Sequence, residues 1–295
     1  MPILDRASQI GFIGAGIVGK SLAVALNNNG YTVSAVGSRS FDSAKSLADI
    51  VPCCEAYQNF DEVAQNSDVV FITTTDDAIA SIADAVKWRR GQGVAHCSGA
   101  ASIDVLAGVT AQEAIPGALH PLQTFSSVDD AVRTLPGSTF AIEGAGPIRQ
   151  FLETLTADLG GISIHLRPQD KPLYHASVVM MGGLLTGLAG TVAEMWKEFG
   201  IQPDAALQSL IPMIRGNAIT LGSVGMPEAI AGPYVRGDIG TIRKHLVALS
   251  SQAPNVLPVY CEMALAALPH ALEKGNVPEN VASQIRILLE EFLEG

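Results

Sequence analysis

The sequence predicts an α/β domain with a doubly wound, mostly parallel sheet, followed by an all-α helical C-terminal domain. Three observations predict it. Short β-rich runs alternate with helical stretches over the first half of the chain, the pattern of strands joined by crossover helices. A glycine-rich turn, Gly14-Ala15-Gly16-Ile17-Val18-Gly19, sits between the first apolar run and the first helical pattern. After Arg167-Pro168 the strand signal almost disappears and long helical patterns replace it. Two domains follow, residues 1–166 and 167–295, in keeping with the prior of about two for a chain of 295 residues.

The expected strands are Gln9–Ile13, Thr32–Val36, Val69–Thr73, Gly93–His96, Gly117–His120, Ser138–Ile142 and Gly161–Leu166. Val69-Val70-Phe71-Ile72 is apolar without alternation, as befits a strand covered on both faces. Helices fit Val18–Asn28, Ser43–Ile50, Asp76–Lys87 and Ile148–Leu159. In the second domain they fit Lys171–Phe199, Asp204–Leu221, Thr241–Ser250, Val256–Lys274 and Asn280–Leu293, with Pro212 expected to kink or shift the second. The Gly- and Pro-rich stretch from Gly222 to Asp238 is a long connection of the kind that often carries function.

Composition bounds the function. Hydrophobic residues at 48% against 16% charged describe a globular chain with no long disordered tract. A net charge of −11 with no basic stripe argues against a nucleic-acid partner. Four cysteines without CxxC spacing fit reduced thiols in the cytoplasm and imply no metal site. No signal peptide is expected ahead of a first strand that starts so early. Ala176 to Ala193 carries no charge and is as long as a short membrane span, yet it holds Ser177, Thr186, Thr191 and four glycines. The reading preferred here is a buried central helix, with the glycines allowing close packing, potentially across a dimer interface.

The glycine turn reads as a dinucleotide site of the Rossmann type. Gly14 allows the tight turn, Gly16 lets backbone approach a pyrophosphate, and Gly19 lets helix and strand pack closely. The phosphates then meet the free N–H groups of Ala15, Ile17 and Val18 and the positive end of the helix dipole. An NAD site usually carries an acid roughly 20 residues past the glycines. Here the second strand runs into Gly37-Ser38-Arg39-Ser40, so NADP(H) is the expected cofactor, with Ser38, Arg39 and Ser40 at its 2′-phosphate. An ordinary surface arginine is the alternative. Thr74 and Thr75, after the third expected strand, could line the nicotinamide-side ribose, while Asp76 could be only a helix cap.

Chemistry-bearing residues cluster at the carboxyl ends of the expected strands, where ligands of open α/β sheets sit. Ser98 can donate to a substrate oxygen, and His120 can act as acid, base or hydrogen-bond donor or be a buried structural histidine. Gln123 follows it as a substrate-binding candidate. Lys171 and His175 share one helix face, and a lysine near a helix N-terminus holds its proton less tightly, as an acid for a nascent alkoxide should. An exposed Lys171 paired with Asp170 is the alternative. Arg236 could clamp a substrate carboxylate or hold its loop through carbonyls. Asp238 beside it is a substrate-binding candidate and a plausible cap of the next helix.

With these pieces in hand the chain resembles the two-domain Rossmann-like oxidoreductases whose helical second domain carries only an unknown-function label. The matching segments are GFIGAGIVG, Gly37-Ser38-Arg39-Ser40, His96-Cys97-Ser98-Gly99, His120 to Phe125, Lys171 to His175, and the Gly232-Pro233-x-x-Arg236-Gly237-Asp238 signature. More distantly it is similar to ketopantoate reductase, pyrroline-5-carboxylate reductase and prephenate dehydrogenase. The resemblance implies that Lys171 occupies the wider group's catalytic lysine position, with His175 where an amide would stand. It also implies a homodimer through the helical domain. The expected activity is NADPH-dependent reduction of a small anionic 2-oxo acid, ketopantoate-like in size. The alternatives are an imine or pyrroline reductase on the same frame, and a non-catalytic NADP-binding sensor.

Overall fold

In the computed structural model, which describes residues 4–294, the chain forms two compact units that divide between Gly182 and Gly183. The first is built on an eight-stranded sheet ordered β3-β2-β1-β4-β5-β6-β7-β8. Its strands are β1 Ile10–Ile13, β2 Val33–Gly37, β3 Glu55–Tyr57, β4 Val69–Ile72, β5 Gly93–His96, β6 Ile115–Leu122, β7 Thr139–Gly144 and β8 Ile162–His165. All neighbours pair in parallel except β6 and β7, which are antiparallel. The helices are α1 Ile17–Asn28, α2 Phe41–Ala48, α3 Phe60–Gln65, α4 Asp76–Ala85, α5 Ala107–Ala111, α6 Val128–Thr134, α7 Gly146–Asp158 and α8 Lys171–Val179.

Alternate residues of each central strand enter opposite faces, so both faces are packed. Phe12 and Phe71 stack with ring centroids 5.6 Å apart on one face, alongside Leu22, Leu26 and Phe151. Ile13, Val70, Ile72 and Val94 pack on the other, with Ile79 and Ile82 of α4. Each such fully buried side chain contributes about 1.5–3 kcal/mol of transfer free energy. The strand order reverses between β1 and β4, which opens a crevice beyond their carboxyl ends.

Several elements differ from the sequence expectations. β3 was not expected because it is three residues long and only partly buried, which leaves little apolar signal. The short helices α3, α5 and α6 are likewise too brief to show a helical period. β6 is longer than Gly117–His120 and includes Pro116 and Pro121. It pairs with β5 only through Ile115–Ala118, then continues to Leu122 against β7 alone. His120 therefore lies within a strand that overhangs its neighbour rather than at a strand terminus.

The helical unit contains α9 Leu185–Met195, α10 Pro203–Val224, α11 Ile239–Gln252, α12 Leu257–Glu273 and α13 Glu279–Glu294. Its core is built by Ile242 and Leu246 of α11, Cys261 and Leu268 of α12, and Ile285 and Leu289 of α13. α10 runs through Pro212 without ending. The helical path after Lys171 passes through a π-helical turn at Met180–Leu184, where an uninterrupted α-helix was expected. The apolar run Pro168–Phe199 is long enough to cross a membrane by length and composition, but only 6% of its most apolar window is buried. The expectation of a buried central helix is thus corrected: α9 and α10 bury one side chain each, Ala193 and Ala206.

Candidate functional site

The glycine turn follows β1 directly and is tied to both neighbouring strands. Gly14 N donates to Gly37 O at 2.8 Å, Thr73 N donates to Ile13 O at 2.8 Å, and Thr73 Oγ1 donates to Gly14 O at 2.7 Å. Gly14 has φ +113°, and a Cβ there would lie 2.7 Å from the Thr73 carbonyl, so two separate constraints demand glycine. Gly19 is as tightly held, because its Cβ would stand 2.5 Å from Gly14 O. Gly16 is the opposite case: a Cβ there would meet nothing within 4 Å. It caps α1 with no side-chain hydrogen bond and no acid in the first turn. Uncapped N–H groups beneath open space are what an anion requires. Ala15 is buried in the turn, Ile17 is exposed, and Val18 is half-buried at the cavity described below.

At the end of β2, Ser38 is half-buried, and Arg39 and Ser40 are exposed. Ser40 Oγ accepts from Ser43 N at 3.3 Å, which makes it the cap of α2. The guanidinium of Arg39 has no hydrogen-bond or ion-pair partner among the described residues. The segment Gly37-Ser38-Arg39-Ser40 holds no carboxylate, and the nearest acid in sequence is Asp42 in the first turn of α2, so these residues fit a 2′-phosphorylated dinucleotide. Thr75 occupies the cap position of α4, and Asp76 is its first residue rather than its cap.

A cavity of about 240 Å³ opens next to this turn, lined among others by Val18, Thr74, Asp76, Ser98, His120 and His175. Its floor is the turn after β5, fixed by a buried histidine. His96 Nδ1 accepts from Ser98 N at 3.2 Å, so Nε2 carries the proton and donates to Ser102 O at 3.2 Å. Burial, and then the nearby Lys171 charge, pull the His96 pKa down to about 4, so this histidine is neutral and structural. Ser98 Oγ accepts from Ala100 N and Ala101 N at 3.2 and 2.9 Å, leaving its own proton free to donate. Gly99 has no side chain because two imidazoles occupy that space: its Cβ would lie 2.7 Å from His175 Cδ2 and 2.8 Å from His120 Nε2.

His120 and His175 meet edge-on, with ring centroids 6.2 Å apart and an interplanar angle of 78°. His120 Nδ1 lies 2.8 Å from the Tyr174 hydroxyl. Its pKa is lowered to about 4, by burial first and then by the charges of Lys171 and His175. At neutral pH His120 is an uncharged imidazole, able to polarise an oxygen or nitrogen through one N–H.

Lys171 departs from both expectations held for it. It is neither exposed nor paired with Asp170, and it does not line the cavity. Asp170 is taken by Arg167, with two contacts of 2.8 Å to the guanidinium. Lys171, 1% exposed, donates to Ser98 O at 2.9 Å and lies 3.3 Å from Glu143 Oε1 on β7. Glu143 Oε2 accepts from Ile103 N at 3.3 Å. Burial lowers the Lys171 pKa and the Glu143 carboxylate opposes that shift. The pair sits behind the Ser98 turn and holds it through the Ser98 carbonyl.

Gln123 lines the cavity, but its amide is spent on the loop. Nε2 donates to Thr134 O and Ser138 Oγ, both at 3.0 Å, and Oε1 accepts from Thr124 N at 2.8 Å. In the helical unit, Asp238 accepts from Thr241 N and Thr241 Oγ1 at 3.0 and 2.7 Å and is the cap of α11. Arg236 is exposed on the loop before it. Sequence reasoning gave Tyr174 and Glu143 no role. Tyr174 falls one turn past Lys171 on the same helix face, and Glu143 continues the buried run Phe140-Ala141-Ile142, where a carboxylate demands a cation.

A doubly wound sheet with an open glycine turn at its switch point defines a Rossmann-class domain. Residues 3–121 match the family model of a Rossmann-like domain, and residues 138–267 match that of DUF2520, a domain of unknown function. The chain thus joins a Rossmann-like domain to a DUF2520 domain. No curated protein matches it. Among solved structures it is similar to an NADP oxidoreductase candidate, BF3122 from Bacteroides fragilis, at 23% identity, covering 90% of this chain and 99% of that one, with a TM-score of 0.71. The Plasmodium falciparum pyrroline carboxylate reductase with NADP bound is similar at 14% identity, with coverages of 92% and 98% and a TM-score of 0.63. A reductive aminase from Aspergillus terreus in complex with NADPH and ethyl-5-oxohexanoate is similar at 15% identity, with coverages of 98% and 94% and a TM-score of 0.60. Identities of this order show a shared fold.

Proposed function

We propose that this protein is an NADP-dependent oxidoreductase that reduces the carbonyl or imine carbon of a small substrate. The observation that carries the reading is the uncapped start of α1 beneath the open space at Gly16, beside a cavity bearing His120, His175 and the Ser98 hydroxyl. The bound reduced nicotinamide would supply the hydride. Gly14, Gly16 and the first N–H groups of α1 would hold the pyrophosphate, and Arg39 with Ser38 the 2′-phosphate. His120 and Ser98 would hydrogen-bond the substrate atom on which negative charge develops. The reductases among the solved structures of the same fold support this class of chemistry.

The substrate is better read as a neutral carbonyl compound or a protonated imine than as a 2-oxo acid. No lysine or arginine lines the cavity, while the carboxylate of Asp76 does. A 2-oxo acid reading rests on Arg236, an exposed residue of the helical unit. A panel of 2-oxo acids, neutral ketones and cyclic imines, followed by loss of NADPH absorbance, tests this. Turnover of imines or ketones supports it, and turnover confined to 2-oxo acids refutes it. Tight NADPH binding without turnover of any of them would favour a sensor. Arg39→Ala is expected to weaken NADPH about 10- to 100-fold, the worth of hydrogen bonds to a charged group, with NADH affinity unchanged. Equal losses for both cofactors would contradict the 2′-phosphate role.

The assembly proposed is a homodimer through the helical unit. Leu184, at the end of the π-helical turn before α9, and Met213 and Ile219 of α10 are exposed at 60%, 59% and 72%. Gly183, Gly187, Gly190 and Gly216 have nothing within 4 Å of a Cβ position. An apolar face of this extent is covered in stable soluble proteins, and a second copy brings a matching one. Light scattering should give about twice 30.8 kDa, with Ile219→Asp shifting it towards the monomer. A monomeric wild type would rule the dimer out.

A further inference from the structure

We propose that Tyr174 is a positioning residue for His120, and that it does so by donating its hydroxyl proton to Nδ1. This fixes the Nε2–H tautomer and turns the N–H towards the cavity as hydrogen-bond and proton donor to the substrate. The inference rests on the reductase reading for its chemistry, but not for its geometry.

The geometry is local to the sheet unit. Tyr174 approaches His120 edge-on, with ring centroids 5.6 Å apart, an interplanar angle of 87°, and the hydroxyl 2.8 Å from Nδ1. Nε2 has no hydrogen-bond partner among the described residues and lies beside Gly99, 2.8 Å from where a Cβ would stand, and both residues line the cavity. A neutral imidazole has one proton to place. With the phenol donating to Nδ1, that proton belongs on Nε2, facing the ligand. Were it on Nδ1 instead, the Tyr174 proton would need another acceptor and the cavity would face a bare lone pair. Burial pushes the Tyr174 phenol up to about 12 and His120 down to about 4, so both groups are neutral at physiological pH and the phenol keeps a proton to donate. Lys171, His175, Asp76 and His96 are the charged or titratable groups that act on His120, and the two strongest, Lys171 and His175, oppose its protonation.

The proton balance follows. As the substrate carbon receives hydride, the π pair of its C=O or C=N bond moves onto oxygen or nitrogen. That atom takes the Nε2 proton while Nδ1 takes the phenol proton, so the imidazole is neutral before and after. Afterwards a water molecule protonates Nε2 and Nδ1 returns its proton to the Tyr174 oxygen, which restores the Nε2–H tautomer and leaves hydroxide to the solvent. For a substrate that arrives as an iminium ion no proton is needed, and His120 then serves only as a hydrogen-bonding group.

The test is nitrogen-15 NMR of the histidines in the full-length protein, with His120→Asn to identify the signal among six histidines. The expected wild-type signal is the neutral Nε2–H tautomer, unchanged as the pH falls from 8 to about 5. Tyr174→Phe should give a mixture of tautomers, with its thermal unfolding and NADPH affinity close to wild type. On a ketone substrate it should lower kcat by about tenfold or more, with KM changed far less. An Nδ1–H tautomer in the wild type, or a tautomer indifferent to Tyr174→Phe, would overturn the proposal. If the tautomer responds as expected but no carbonyl or imine compound is turned over, the reductase reading fails and the Tyr174–His120 assignment stands.

Discussion

Gly16→Val is expected to weaken NADPH binding by at least about 100-fold, near 3 kcal/mol, while the protein unfolds at its wild-type temperature. Gly16 has φ −74° and ψ −175°, extended backbone that any residue adopts, and its Cβ would meet no atom within 4 Å. A valine there costs the fold little, yet its methyl groups occupy the space through which a pyrophosphate reaches the first N–H groups of α1. Gly19→Val is the contrasting variant. Its Cβ would stand 2.5 Å from Gly14 O and 2.6 Å from Thr73 Oγ1, so it should lose stability along with affinity. Fluorescence titration with NADPH and thermal unfolding of the two variants separate the effects. A Gly16→Val protein that binds within threefold of wild type would show that nothing docks over that turn.

Lys171→Met is expected to destabilise the protein by about 3–5 kcal/mol, the usual cost of leaving one member of a buried ion pair alone. That corresponds to a melting temperature lower by roughly 10 °C. Glu143 would then keep a buried carboxylate whose Oε1 has no hydrogen-bond donor of its own. Lys171→Met combined with Glu143→Gln removes the uncompensated charge and should recover most of the loss. The double variant also decides between two roles for the lysine. Recovered stability with kcat within about tenfold of wild type fits an ammonium that holds the Ser98 turn. Recovered stability with kcat down by about 10² to 10⁴ would return Lys171 to the part of proton donor. A single variant costing under about 1 kcal/mol would remove the buried pair from consideration altogether.

The glycine turn was legible because its constraints are local. A tight turn, a close helix and an open helix start each need glycine within six consecutive residues, and the structure gives Gly14, Gly16 and Gly19 those separate circumstances. The central strands were legible for a related reason: both of their faces are buried, so each residue of the run reports the same environment. The rest of the site depends on where distant segments meet. Lys171 and Glu143 look like an exposed helix start and a strand-end acid until the fold brings them within 3.3 Å. His120 looked like a terminus because Pro116 and Pro121 flank the expected strand Gly117–His120, yet the strand runs on through Pro121. Tyr174 was passed over because a tyrosine on a helix face is ordinary until an imidazole stands 2.8 Å from its hydroxyl. The exposed α9–α10 face misled the other way, since an uncharged run reads as interior whichever molecule covers it.

The second family model begins at residue 138, whereas the compact sheet unit runs on to Gly182. The border between the two modules therefore cuts through one sheet, between β6 and β7, leaving six strands on one side and two on the other. The glycine turn and Arg39, the proposed cofactor grip, lie before it, along with His120 and Ser98. Tyr174, His175, Lys171 and Glu143 lie after it. A chimera that kept this Rossmann-like segment and borrowed the second module of a relative would inherit a working nucleotide grip and a foreign set of partners for its histidine. Reaction chemistry in this architecture can thus drift with the second module while the cofactor stays the same.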